Sequence, residues 1–273
     1  MVDKELYPRQ SSHRLTQWLL LSCVAFVSLM TPTTGLCDEK KEPAPEPPKI
    51  MMTLPLAISS GETKSLTLRG LKLDRATTVQ ILPADRGVMV NIRKKEASAV
   101  PDKLEAKDVG DSLVEVDFVL PADFTADTLP FTVTNPDGTS MPFSVRVIPA
   151  DKLAIEVEPN DSLRKPQNLP LGIAVSGTIS QPKDVDVYEF AGLANQSFAA
   201  EVIAAQLGSP CDAQLTLFNS AGQILAISDD SPNGRDAVLR IVLPRDDTYR
   251  LTLLDATDRG SSLHVYLLNL RVE

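Results

Sequence analysis

The stretch Asp184-Val185-Asp186-Val187-Tyr188-Glu189-Phe190 decides the fold. Its β-branched and aromatic residues favour an extended chain, and side chains along a strand alternate between two faces. Tyr188 and Phe190 belong on the core face, and the same parity puts Asp184 and Asp186 there with them. One strand therefore carries a core signal and two carboxylates that need partners, because an unpaired buried carboxylate is too costly to keep.

Segments of the same kind continue on both sides. Downstream, strands are expected over residues 197–203, 213–218, 224–228, 237–242, 248–254 and 263–271, and upstream over 175–179. A second group covers 54–58, 64–69, 77–82, 88–92, 113–119, 131–134 and 143–148. Gly, Pro, Asn and Asp separate them at sandwich-like intervals. Asn135-Pro136-Asp137-Gly138 supplies a fixed φ at Pro and a permissive one at Gly, the chemistry of a tight turn in a hairpin. No long amphipathic helix is evident, and Lys94–Gly110, charged and without an apolar stripe, reads as a mobile loop. The expected fold class is all-β, with two antiparallel β-sandwich domains in tandem over residues 50–150 and 151–273.

Before these modules the sequence changes character. A polar, weakly basic stretch to Gln17 leads into the uncharged run Trp18–Met30 and then Thr31-Pro32-Thr33-Thr34-Gly35, the order of an export signal. That run is about 13 residues, short of the roughly 20 that span a bilayer as a helix. Residues 1–37 are therefore read as a signal peptide, cleaved before Leu36 or before Asp38, leaving no transmembrane span in the mature chain. Residues 38–49, DEKKEPAPEPPK up to Lys49, form a Pro- and charge-rich linker. Of three cysteines, Cys23 lies in the apolar run and Cys37 at the processing site, which leaves Cys211 and no disulfide framework. The net charge of −9, from 27 basic and 36 acidic residues, repels phosphate backbones and excludes nucleic acid as a partner class.

Several pieces stand in a fixed order: Glu156-Val157-Glu158-Pro159-Asn160-Asp161, Ser176-Gly177-Thr178-Ile179, the stretch quoted first, Leu207-Gly208-Ser209, Leu215-Thr216-Leu217-Phe218, Asp229-Asp230 and Asp247-Thr248-Tyr249-Arg250-Leu251. Over residues 155–273 this order resembles the bacterial pre-peptidase C-terminal domain family. The resemblance implies a β-sandwich attached to exported proteins as an accessory, sorting or matrix-binding module, calcium-binding in some members. Over residues 50–149, Gly61-Glu62-Thr63, Leu66-Thr67-Leu68-Arg69-Gly70-Leu71 and the terminal hairpin resemble immunoglobulin-like IPT/TIG modules.

Glu156, Glu158 and Asn160 share one face of an extended segment, and Asp161 follows at the turn, so four oxygen donors gather locally. Partners for these and for Asp184 and Asp186 are backbone amides, an arginine, or a hard cation with six to eight oxygen ligands. Capping of turns by Asn160, Asp161, Asp184 and Asp186 is the plainer alternative. The family resemblance implies calcium (Ca2+) at both acidic segments, making Glu156, Glu158, Asn160, Asp161, Asp184 and Asp186 the candidate metal ligands.

Catalysis has less support. Beyond residue 37 the single histidine is His264, between Leu263 and Val265 in an expected strand, and no nucleophile elbow or zinc-type histidine pair is present. Tyr188, Tyr249 and Tyr266 sit in expected strands and read as core, and Asp229–Asp236 reads as a solvated turn containing Arg235. The sequence thus predicts an exported, non-catalytic accessory or interaction protein, calcium-stabilised, that binds an extracytoplasmic protein or envelope component. The alternatives are a peptidase-associated or glycan-acting hydrolase and a structural cell-envelope protein.

Overall fold

A computed structural model describes residues 45–273 apart from Glu62, Asp85, Arg86 and Asn233. The export signal expected over residues 1–37, and the linker up to residue 44, lie outside the described residues. The first group of strands comprises β1 (Lys49–Leu54), β2 (Ala57–Ser59), β3 (Thr63–Leu71), β4 (Thr78–Ile81), β5 (Met89–Ala97), β6 (Ser112–Val119), β7 (Thr128–Asn135), β8 (Gly138–Thr139) and β9 (Phe143–Ile148). The second comprises β10 (Leu153–Ile155), β11 (Gln167–Asn168), β12 (Ala174–Thr178), β13 (Val185–Gly192), β14 (Ser197–Ile203), β15 (Ala213–Phe218), β16 (Ile224–Ser228), β17 (Val238–Val242), β18 (Asp247–Asp255) and β19 (Val265–Val272). Among the described residues the only helical pieces are the single turn α1 (Ala106–Val109) and 3-10 turns at Ala150–Lys152 and Ala205–Leu207. No helix there is long and apolar enough to cross a membrane.

The fold is all-β. One pair of sheets has orders β1-β3-β6-β5 and β2-β9-β7-β4, with β8 on β7; the other pair has β10-β12-β19-β14-β17 and β11-β13-β18-β15-β16. Each pair encloses its own apolar core: Phe118 and Phe131 sit in the first, and Tyr188, Phe190, Phe198 and Tyr249 in the second. The sheet β1-β3-β6-β5 is antiparallel throughout, as sequence patterning predicts, and the other three sheets are antiparallel but for one edge each. Three edge pairings, β2 with β9, β10 with β12 and β11 with β13, are parallel. The strands β10 and β11 that make two of them are too short to leave an alternation signal.

The expected strand over 54–58 is in fact the junction of two. Pro55 has no N–H for a ladder, and the chain crosses there from the edge of one sheet to the edge of the other. The tight turn is as expected: Asn135 pairs with Gly138, and Asn135 Oδ1 accepts the Asp137 N–H at 2.8 Å.

The segment Lys94–Gly110 is not a free loop. Lys94–Ala97 continues β5 on β6, and the Arg69 guanidinium, 4% exposed, holds the rest. It donates to the carbonyls of Ala99 at 2.6 Å, Val109 at 2.8 Å and Gly110 at 3.1 Å, and to Ser98 Oγ at 2.6 Å. An arginine from a distant strand supplies the anchor, so the segment needs no apolar stripe.

Residues 44–273 form one compact unit. The alternation of β19 explains how: Tyr266, Leu268 and Leu270 face the second core, while Val265 and Leu267 face the first sandwich. There they meet Met52, Leu56 and Val109, and Ala57 respectively. At Gly208, in the left-handed region with φ of 87°, an added Cβ would strike the Met51 carbonyl. Met51 is the residue skipped in the β1–β3 register, so the turn at Gly208 docks on a bulge.

Candidate functional site

The strands β10 and β12 run parallel, and their register carries Glu156 to the level of Gly177, near the end of β12. Glu156 Oε2 accepts the Thr178 N–H at 2.7 Å. The chain turns at the cis Glu158–Pro159 bond, and the Val187 N–H donates to the Asn160 carbonyl at 3.0 Å, laying this segment beside the start of β13. Carboxylate oxygens of Glu156, Glu158 and Asp186 all lie within 4.8 Å of one another as a result.

Asp186 is 0% exposed and Asn160 1%. Tyr266 Oη donates to Asp186 Oδ2 at 2.6 Å, and the Tyr188 hydroxyl lies 2.5 Å from that of Tyr266. Gly177 makes this approach possible, because a Cβ there would collide with the Tyr266 ring and hydroxyl. Burial, reinforced by Glu156, pushes the Asp186 carboxyl up to about 10, and burial also raises Glu158, with Asp161, Glu156 and Asp184 adding to it. Burial raises both Tyr188 and Tyr266 above the ordinary phenol range.

One end of the Asn160 amide faces Glu158 Oε2 at 3.0 Å and Asp186 Oδ1 at 3.2 Å. With nitrogen at that end, the amide donates to both carboxylates. With oxygen there, three side chains present only acceptors to one another, an arrangement that a proton or a cation must hold. Three carboxylates and an amide oxygen make the donor set a hard cation takes; the same set also suits a network that shares protons.

The six sequence-derived ligands separate into two groups. Glu156, Glu158, Asn160 and Asp186 converge, whereas Asp161 is exposed beside Glu158. Asp184 is buried but turned away: Oδ2 accepts from the Ser180 N–H at 2.6 Å and Oγ at 2.8 Å, and Oδ1 from the Val185 N–H at 3.1 Å. Its charge still acts on Glu158 and Asp186. Sequence reasoning missed Tyr266 as a partner of Asp186. The available signal was its parity in the apolar run of β19, which puts it on the core face.

His264 immediately precedes β19, two residues before Tyr266, and its carbonyl accepts the Ile179 N–H at 3.0 Å. Its Nδ1 is 2.9 Å from Ser261 Oγ, which also accepts the Leu263 N–H at 3.2 Å, and its buried Nε2 has no hydrogen-bond partner among the described residues. Burial lowers its pKa.

No family model matches the chain. A probable subtilase-type serine protease of Deinococcus radiodurans is 35% identical over 97 residues, which is 34% of this chain and 13% of that protein. The chain thus spans a small part of the curated relative it matches. Among solved structures, the pre-peptidase C-terminal domain of a Bacillus anthracis collagenase overlays at a TM-score of 0.32 with 14% identity, covering 38% of this chain and 93% of that domain. A periplasmic inhibitor of g-type lysozyme from Aeromonas hydrophila overlays at 0.28 with 12% identity, covering 39% and 96%. A secreted serine protease from Vibrio cholerae overlays at 0.29 with 8% identity, covering 80% and 49%.

Proposed function

We propose that this chain is an exported, non-catalytic accessory protein that binds a protein or envelope partner outside the cytoplasm through its β-sandwiches, and that calcium at Glu156, Glu158, Asn160 and Asp186 stabilises the second one. The observation that carries the calcium reading is a fully buried Asp186 within reach of two further carboxylates. A hard cation would take the place of the protons these groups otherwise share. Glu156 would tie the ion to β12 through Thr178, and Asn160 would tie it to β13 through Val187. The likeness to a subtilase-type protease supports the accessory reading, since the 97 matched residues are 13% of that protein and of a single module's length.

Calcium titration of the purified protein by calorimetry and thermal melting, with chelator as reference, tests this. Saturable heat and a rise in Tm that grows with free calcium are expected, because a ligand bound by the folded state alone stabilises it by mass action. No heat and no shift would leave the cluster as a proton-sharing network.

The same match favours a second reading, a peptidase-associated or glycan-acting hydrolase. Turnover of casein or glycans, lost on changing one named residue, would support it.

A further inference from the structure

On one side of the junction between the sandwiches lies a cleft of about 420 Å³ into which Lys103, Lys107, Arg235 and Arg259 all project from exposed positions. Lys107 pairs with Glu105 at 2.7 Å. Lys103, Arg235 and Arg259 have no ion pair among the described residues. Asp108 is a further acidic group of the lining, and Asp212 feels the charge of Arg235. In a chain of net charge −9, a lining of four cations against Glu105 and Asp108 leaves this cleft with an excess of positive charge.

Three buried polar side chains fix the loops that display them. Arg69 holds residues 98–110, which carry Lys103 and Lys107. Asp236, beside Arg235, accepts the N–H groups of Ala204, Ala205 and Gln206 at 3.1, 2.7 and 3.1 Å. Asp255 accepts those of Thr257 and Arg259 at 3.0 and 3.1 Å. The cations are therefore presented by a preorganised frame drawn from both sandwiches, and the cleft exists because the two are docked.

An adjoining cleft of about 490 Å³ shares Lys103, Leu104 and Arg259 and adds Pro101 and Pro182, with Asp102 and Asp258 balancing its two cations, so the excess of positive charge belongs to the first cleft. Among the described residues, no Tyr, Trp or Phe lines either cleft. The walls offer aliphatic and prolyl surface beside guanidinium groups, which suits a polypeptide with carboxylates and aliphatic side chains better than a sugar chain. We infer that this junction cleft binds an acidic, aliphatic-containing segment of a partner protein, its carboxylates paired with Lys103, Arg235 and Arg259. Arginine suits the task because its fork meets a carboxylate in two parallel hydrogen bonds. This rests on the reading of the chain as an interaction protein and names the chemistry of its partner.

The test is fluorescence anisotropy of the purified protein with a dye-labelled peptide of alternating glutamate and leucine. Saturable binding is expected, weakened by raising salt from about 50 to about 300 mM and roughly tenfold weaker in R235E/R259E. Arg75→Glu, which alters a cation paired with Asp137 on the distant hairpin, should leave it unchanged. Absence of saturable binding, or equal affinity in R235E/R259E with its Tm intact, overturns the inference. So does an oligogalacturonate that binds more tightly than the peptide. The calcium-dependent melting shift, measured on the same samples, reports separately on the calcium-stabilised accessory reading, so failure of the cleft alone is recognisable.

Discussion

Tyr266 Oη donates to Asp186 Oδ2 at 2.6 Å, and this spends its only proton, so the Tyr188 hydroxyl 2.5 Å away must be the donor to Tyr266. The chain of donors runs one way, from Tyr188 through Tyr266 to the buried carboxyl. Tyr266→Phe keeps the ring against Gly177 but removes the donor to Asp186 Oδ2 and the acceptor of the Tyr188 hydroxyl. A loss of about 1–3 kcal/mol is expected from leaving such buried groups unsatisfied, read as a lower urea midpoint in the presence of chelator. An unchanged midpoint would mean that other groups satisfy both residues.

Asp186 and Asp184 are two residues apart and on one face, yet their oxygens have different partners. Asp186→Ala removes a member of the converging group and should abolish any calcium-induced rise in Tm. Asp184→Ala removes the acceptor of the Ser180 and Val185 N–H groups and should lower Tm while the calcium-induced rise persists. A rise retained in Asp186→Ala would sink the calcium assignment.

Much of the site could be read from the chain because it rests on short-range geometry. Period-two parity puts Asp186 on the face of Tyr188 and Phe190, and it sets Glu156, Glu158 and Asn160 together from the sequence alone. What parity could not supply was the direction of each carboxylate: Asp184 turns to the backbone of Ser180, only four residues back, and Asp186 turns to Tyr266 in β19. The docking of the sandwiches was hidden for a related reason. In Val265-Tyr266-Leu267-Leu268 both faces are apolar, the mark of a strand buried on both sides, but the partner of the outer face comes from residues 52–57 and 109, far away in sequence. Arg69 left no signal because one buried arginine in a strand does not announce which carbonyls it will serve.

Arg69→Met removes donors to four acceptors while keeping an apolar stem in the sheet. Three of those acceptors are backbone carbonyls of residues 99–110, and unsatisfied buried groups of this kind together cost on the order of 3 kcal/mol or more. Loosening should concentrate in the segment the guanidinium holds, so limited proteolysis is expected to cut between residues 98 and 110 in the variant and not in the wild type. Arg69→Lys should rescue little, since a single ammonium cannot reproduce a planar fork. Unaltered protease resistance in Arg69→Met would show that Val100, Leu104 and Val109 hold the segment without it.

His264 gives the second sandwich a weakness to acid. Its Nε2 is buried without a partner among the described residues, and burial, with Arg259 adding to it and Asp255 opposing, holds its pKa below the ordinary value. The unfolded chain takes up the proton near pH 6.5, whereas the folded chain resists it, so the unfolded state binds more protons and stability rises with pH. The contribution is complete above about pH 6.5 and is lost as the pH falls through the folded value. His264→Gln keeps a polar group opposite Ser261 but cannot titrate. Urea midpoints measured at about pH 7.5, 6.5 and 5.5 should fall more steeply for the wild type than for the variant, the gap widening toward the acid end. Parallel curves for the two proteins across that window would mean that the folded protein accommodates the imidazolium, and that Nε2 finds a partner once it is charged.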